Sequence, residues 1–304
     1  MRIPKGVTLA ALGMALIARA TFCAPVFVDP YTSPNTYTSA EPSGAYTVTD
    51  EDANYPGTWS TSGNGLLTYS RPGSNNGFSG SYVYRSSVLL TNGSTPETGS
   101  TAGLTNFTVS GTLYNNIAED NNGQSGLVVS GSPGAGGYLL EIDNAQGNAF
   151  ALLAETGNEL TSDEGTPQPV IQPSPGVNAL GSPAIPGHEY GVSVTVDRSG
   201  LIQNTPVFTV SITDLTNLTT VYSGTFADSL GNPLSFGGTQ IGYRVRDPFD
   251  DPADNEIPTF GPLSLSVPEP SFLGLFGLGA IFLLRHRNSG RGHSTRQQTI
   301  GSRS

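Results

Sequence analysis

From Phe107 to Leu113 apolar and hydroxyl side chains alternate, with Phe107, Val109 and Leu113 on one side and Thr108, Ser110 and Thr112 on the other. Successive side chains of a strand point to opposite faces, so strict alternation predicts a strand with one dry and one wet face. The pattern recurs in Val192, Val194 and Val196 against Ser193, Thr195 and Asp197, and in Phe208, Val210 and Ile212 against Thr209, Ser211 and Thr213. It recurs again in Ile241, Tyr243 and Val245 against Gly242, Arg244 and Arg246, and in Leu263, Leu265 and Val267. Further strands are expected over 66–69, 82–90, 126–130, 137–143, 148–154 and 219–226. Turn clusters such as Asn75-Asn76-Gly77, Asn121-Asn122-Gly123 and Gly231-Asn232-Pro233 separate them. No sustained helical period interrupts this stretch. The prediction is an all-β chain whose strands form an antiparallel sandwich. Gly157 to Gly187 breaks the rhythm with six prolines and reads as one long loop.

The two ends follow other rules. Met1 to Lys5 is basic, Gly6 to Ala18 is apolar, and Ala18-Arg19-Ala20 offers small residues around a cleavage point. This is the order of a secretory signal peptide, expected over 1–24 and removed by signal peptidase. Its apolar run is too short to span a bilayer. The only cysteine, Cys23, lies in this junction behind Phe22, a poor context for lipidation. At the other end Val267-Pro268-Glu269-Pro270 leads into the uncharged apolar run Phe272 to Leu284, and Arg285-His286-Arg287 follows. As a helix, Ser271 to Leu284 would be roughly 21 Å long, short for a permanent span and suited to a temporary anchor. The arginines are expected to stay cytoplasmic. The expected division is therefore a leader at 1–24, a β-sandwich at 25–266, a sorting segment at 267–287 with a transmembrane helix at 271–284, and a basic tail at 288–304.

Charge narrows the possible partners. All 24 acids lie between Asp29 and Glu269, where only five basic residues accompany them. A surface this acidic repels nucleic acid, whose binding rests on cationic neutralisation of phosphates. A single cysteine makes no intrachain disulfide, and three histidines with one cysteine leave no cluster for zinc or haem.

The ordered triplet of Pro268-Glu269-Pro270, apolar helix and Arg285/Arg287 resembles the PEP-CTERM sorting signal of bacterial envelope proteins. That resemblance implies export, transient anchoring in the inner membrane, processing by an exosortase, delivery to the cell surface or matrix, and association with exopolysaccharide. The strand order from Trp59 through Asn106–Leu113, Gly126–Val129, Gly137–Asp143 and Gly242–Arg246 resembles a concanavalin A-like or laminin-G-like jelly roll. Another sandwich and a β-solenoid are the competing architectures.

Candidate chemistry is sparse. Glu141 and Asp143 share a strand face at spacing i, i+2, as the paired carboxylates of a retaining glycosidase must. The run resembles the Glu-x-Asp-x-(x)-Glu strand of laminarinase- and agarase-type hydrolases. Gln146 stands where the second glutamate belongs and has no proton to donate as an acid. No catalytic residue is therefore assigned, and the chain is expected not to be an enzyme. The bland alternative for Glu141 is a polar strand end before a turn. Asp247, Asp250, Asp251, Asp254 and Glu256 crowd one proline-stiffened loop, a candidate for calcium, which takes oxygen ligands. Tyr82 and Tyr84 share a strand face and could stack on sugar rings. Trp59 reads as core, and the lone His188 as a turn residue. The expected role is a non-catalytic, exosortase-sorted envelope or matrix protein that binds glycan. The alternatives are a glycoside hydrolase-like enzyme with a degenerate acid/base motif and a ligand-free spacer.

Overall fold

The computed structural model describes residues 23–38, 46–50, 57–70, 87–115, 124–143, 148–156, 180–199, 206–227, 238–246 and 258–268. In chain order the strands are β1 (Cys23–Asp29), β2 (Pro34–Tyr37), β3 (Tyr46–Asp50), β4 (Thr58–Ser62), β5 (Leu67–Ser70), β6 (Ser87–Asn92), β7 (Asn106–Tyr114) and β8 (Gln124–Ser132). They continue with β9 (Gly136–Asp143), β10 (Ala149–Thr156), β11 (Glu189–Asp197), β12 (Val207–Asp214), β13 (Thr219–Ala227), β14 (Gln240–Arg246), β15 (Thr259–Phe260) and β16 (Leu263–Pro268).

These strands form two sheets. The larger runs β13-β12-β11-β7-β15-β5-β4-β2, with β16 lying between β7 and β1. The smaller has six strands in the order β10-β9-β8-β14-β6-β3. The two described ladders on the second side of β7 follow one another along it. Phe260 of β15 pairs Leu113, Gly261 N–H donates to Thr112 O at 3.0 Å, and Ser264 to Ser266 of β16 pair Ser110 to Thr108. The large sheet forks there, β15 leading to β5 and β16 to β1. The ladders just named are antiparallel, as the alternating pattern requires.

The core between the sheets is built from the apolar half of each alternating strand. Phe107, Val109, Leu113, Val194, Val196, Phe208, Val210 and Ile212 from the large sheet meet Leu127, Val129, Leu140, Ile142, Phe150, Leu152, Tyr243 and Val245 from the small one. Tyr243 also ties the sheets by polarity. Its hydroxyl accepts from Thr112 N–H at 3.2 Å and lies 3.0 Å from Gly261 O and 3.2 Å from Pro262 O, at the fork. A Cβ at Gly111 would stand 2.4 Å from that hydroxyl, so the site needs glycine.

Four strands went unforeseen: β1, β2, β3 and the two-residue β15. The described part of the long loop, Leu180 to Gly187, is irregular as expected. It is pinned by Leu180 N–H on Phe150 O and Ala184 N–H on Asn148 O. The compact sandwich spans Ala24–Val267. β1 begins inside the expected leader, and β16 runs two residues into the expected sorting segment, because Val267 still packs against the core. The expected helix 271–284 lies outside the described residues, among which no helix is long and apolar enough to cross a membrane.

Candidate functional site

On β9 the side chains of Tyr138, Leu140 and Ile142 enter the inter-sheet core, so Leu139 and Glu141 point to the opposite, outer face of the small sheet. That face is not wet. Leu139 joins Leu89, Val128, Ala151 and Leu153 in a second buried apolar cluster. Beside it lie charges. Pairing sets one row across all six strands, Thr49–Leu89–Arg244–Gly126–Glu141–Ala151. Arg244 is 1% exposed and Glu141 2%. At about 4.8 Å between strands, their backbones stand roughly 10 Å apart. Gly126 between them has no side chain, which leaves room for both. A Cβ there would come within 2.7 Å of Leu139 Cδ1 and 3.1 Å of Glu141 Cβ.

Two flanking rows complete the face. One holds Ser87–Arg246–Gln124–Asp143–Ala149. In it Arg246 Nη1 donates to Gln124 Oε1 at 3.4 Å. The other row holds Thr47–Thr91–Gly242–Val128–Leu139–Leu153. Thr91 is fully buried, and its Oγ1 has no hydrogen-bond partner among the described residues. The face thus gathers guanidinium donors, a carboxylate acceptor, an amide that does both and an unanswered hydroxyl, beside an apolar floor.

The structure sorts the sequence candidates. Glu141 lies on the outer face, and the next row along β9 pairs Gln124, Asp143 and Ala149. Glu141 lies two residues from the end of β9 and is buried there, between Gly126 and Ala151 in its row. Trp59 is core, fully buried with ring centroids 5.1 Å from Tyr69 and 5.4 Å from Phe260. His188 follows a turn and is paired there: its Nδ1 lies 2.8 Å from Asp214 Oδ2. Asp214 Oδ1 also accepts from Thr216 N–H at 2.9 Å and Asn217 N–H at 3.0 Å, so this dyad fastens the β12–β13 turn to the start of β11. Burial pushes the Asp214 carboxyl up, but the bonds from His188, Asn217 and Thr216 together hold it below the ordinary carboxylate value. Tyr82 and Tyr84, the acidic loop with Asp247, Asp250, Asp251, Asp254 and Glu256, and Glu269, Pro270, Arg285 and Arg287 lie outside the described residues. Val267 and Pro268 are the last two residues of β16.

Arg244, Arg246, Gln124 and Thr91 were not singled out from sequence. A signal for the first two existed. They are two of only five basic residues in the whole acidic region, and they share one strand face. Gln124 and Thr91 carried no such mark, because only the pairing of distant strands brings them to this face.

Residues 266–288 match the PEP-CTERM protein-sorting motif. No curated protein matches the chain significantly. Among solved structures, lectin II from Ulex europaeus aligns over 79% of this chain and 97% of its own, with TM-score 0.45 and 10% identity. An alginate lyase from Aplysia kurodai aligns over 79% and 89%, with TM-score 0.44 and 9% identity. A carbohydrate-binding module from Bacillus subtilis aligns over 66% and 95%, with TM-score 0.35 and 15% identity. The chain is a two-sheet β-sandwich whose last described strand runs into a PEP-CTERM sorting motif, the kind of signal that implies export and exosortase processing.

Proposed function

We propose that this is an exosortase-sorted envelope or matrix protein that binds a glycan, without catalysis, at the half-buried edge of its six-stranded sheet. The observation that supports the reading is the pair Arg246–Gln124, a guanidinium donor and an amide 3.4 Å apart at half-buried positions on adjacent strands, next to the buried row Arg244–Gly126–Glu141. An amide that both donates and accepts suits a polyhydroxyl ligand. The glycan belongs to the exopolysaccharide of the envelope. Calcium is proposed for the Asp247–Glu256 segment, which follows β14 in the sequence.

The test incubates the processed protein with insoluble polysaccharides, in calcium or in chelator, and reads bound protein and released reducing ends from the same tubes. Retention without sugar release is expected. The substitutions Arg246→Gln and Gln124→Ala, at half-buried positions, should weaken retention about ten-fold, equivalent to about 1.4 kcal/mol. Release of reducing ends would overturn the non-catalytic reading and make Glu141 the acid to examine. Absence of retention across the panel would leave a ligand-free spacer.

A further inference from the structure

Three of the four exposed large apolar side chains among the described residues sit at one end of the sandwich. Leu218 is 82% exposed, Ile185 48% and Leu215 37%. Leu215 and Leu218 belong to the turn between β12 and β13, and Ile185 to the turn that leads into β11. Single apolar residues are ordinary on a surface, whereas a group of them marks a place from which a partner displaces water.

The two turns are fastened to one another. His188 Nδ1 lies 2.8 Å from Asp214 Oδ2 and 3.5 Å from Asn217 Nδ2. Leu215 N–H donates to Glu189 O at 2.8 Å, and Glu189 N–H donates to Thr216 Oγ1 at 3.1 Å. The apolar side chains are therefore carried on turns already ordered before a partner arrives. Leu218 is held there at φ 57°, in the left-handed region. Glycine or asparagine is the usual occupant of that conformation, and a leucine in it is strained. Asn217 stands one position earlier, yet the strained position carries a leucine whose side chain reaches into water. Packing inside the fold gives no reason for that choice, and strain kept at an exposed position points to a role outside the fold.

The surroundings specify the partner. Leu215 to Thr220 carries no charge, and Thr216, Asn217, Thr219 and Thr220 rim the leucines with exposed hydroxyls and an amide. Of the carboxylates beside the turn, Asp214 is bonded to His188 and Glu189 is half-buried. Apolar side chains rimmed by neutral polar groups match the boundary between acyl chains and headgroups. The acidic excess of the region between Asp29 and Glu269 repels anionic headgroups, so the match is to a zwitterionic lipid surface. The chain leaves the sheet at its other end. Ser264 to Ser266 pair Ser110 to Thr108, so β16 runs away from Tyr114, the partner of Glu189.

We infer that Ile185, Leu215 and Leu218 form a lipid-contacting tip that seats on a zwitterionic lipid surface without help from the sorting segment.

The experiment floats the processed protein, which lacks the apolar C-terminal run, with phosphatidylcholine vesicles in a density gradient. The natural protein should rise with the vesicles, and less of it should rise when phosphatidylglycerol is mixed into them. Leu218→Asn places a residue suited to the left-handed backbone, so its urea midpoint should equal or exceed the natural one. Its vesicle binding should nevertheless fall roughly ten-fold, the loss expected for one buried leucine side chain. Leu215→Ser should deepen that loss. A natural protein that stays off phosphatidylcholine overturns the inference, as does a Leu218→Asn protein that binds as well as the natural one. A photo-crosslinker at position 218 that joins a protein in cells, with no flotation in vitro, assigns the tip to a protein partner and overturns the lipid contact.

Discussion

The two sheets turn very different outer faces away from their shared core. On the ten-stranded sheet, hydroxyls line up from strand to strand. Ser223, Ser211, Ser193, Ser110 and Ser264 form one row, and Thr225, Thr209, Thr195, Thr108 and Ser266 the next. Neighbours bond across the rows, Thr108 Oγ1 to Thr195 Oγ1 at 2.7 Å and Thr209 Oγ1 to Thr225 Oγ1 at 2.9 Å, and the face remains open to water. On the six-stranded sheet the outer face is buried and mixes leucines with Arg244 and Glu141. Every interior residue of β14 is buried, whereas β7 alternates buried with half-buried along its length. A wet face tolerates almost any small polar side chain. A dry one fixes each neighbour, so a charge placed there must have an answer.

Three sets of substitutions would break or sharpen that contrast. The largest effect is expected at the buried charges. Arg244→Met or Glu141→Leu alone leaves its opposite number in a dry site and should cost about 3–5 kcal/mol in urea unfolding. The double substitution should recover part of that loss. Strict additivity would mean that the two charges do not compensate one another.

Glycines come next. A Cβ at Gly242 on the small sheet would lie 1.9 Å from Leu90 O, a backbone atom, so Gly242→Ala should cost about 3 kcal/mol. At Gly191 on the large sheet the nearest atom is Leu215 Cδ2 at 3.3 Å, on an exposed side chain. Gly191→Ala should change stability by no more than about 0.5 kcal/mol. A similar cost at both sites would erase the distinction between the faces.

The smallest effect concerns acid. The folded-state pKa of Asp214 is depressed, so its contribution to stability is complete above the unfolded value of about 3.9. It is lost as pH falls through the lower folded value. Urea midpoints measured from pH 5 to pH 2 should therefore fall less steeply for Asp214→Asn than for the natural chain. Equal slopes would show that the His188 tie carries no pH dependence.

Half of this contrast was legible in sequence: the alternation of Ile241, Tyr243 and Val245 with Gly242, Arg244 and Arg246 predicted a wet face on β14 as well, and the structure buries it, leaving Arg244 1% exposed. The strict alternation in 107–113, 192–197 and 208–213 marked strands β7, β11 and β12 and named their wet residues correctly. The small sheet announced itself differently, through runs such as Leu127-Val128-Val129, Leu139-Leu140 and Leu152-Leu153, which have no polar partner positions. Continuous apolar runs of this kind mark strands covered on both sides. Strands β1, β2 and β15 were missed for local reasons. β1 sits against the leader, β2 opens with a proline, and β15 has two residues, too few to show a period. The candidate site was half legible. Glu141 carries its own signal, but its row is set by the pairing of β6, β14, β8 and β9, segments separated by up to about 150 residues. No local pattern encodes that register.

The ladder between β16 and β7 joins residues about 155 positions apart. Contacts this distant are slow to form, because the chain loses the entropy of closing the loop before the pairing repays it. Strand β7 comes well before β16, the last of the described strands. Until Ser264 to Ser266 arrive, one side of β7 is an open ladder carrying Phe107, Val109 and Leu113, the kind of edge that invites pairing with another chain. The interval before the final described strand docks is therefore the most aggregation-exposed period of this protein's life, and the one in which a holdase chaperone would have the most to protect.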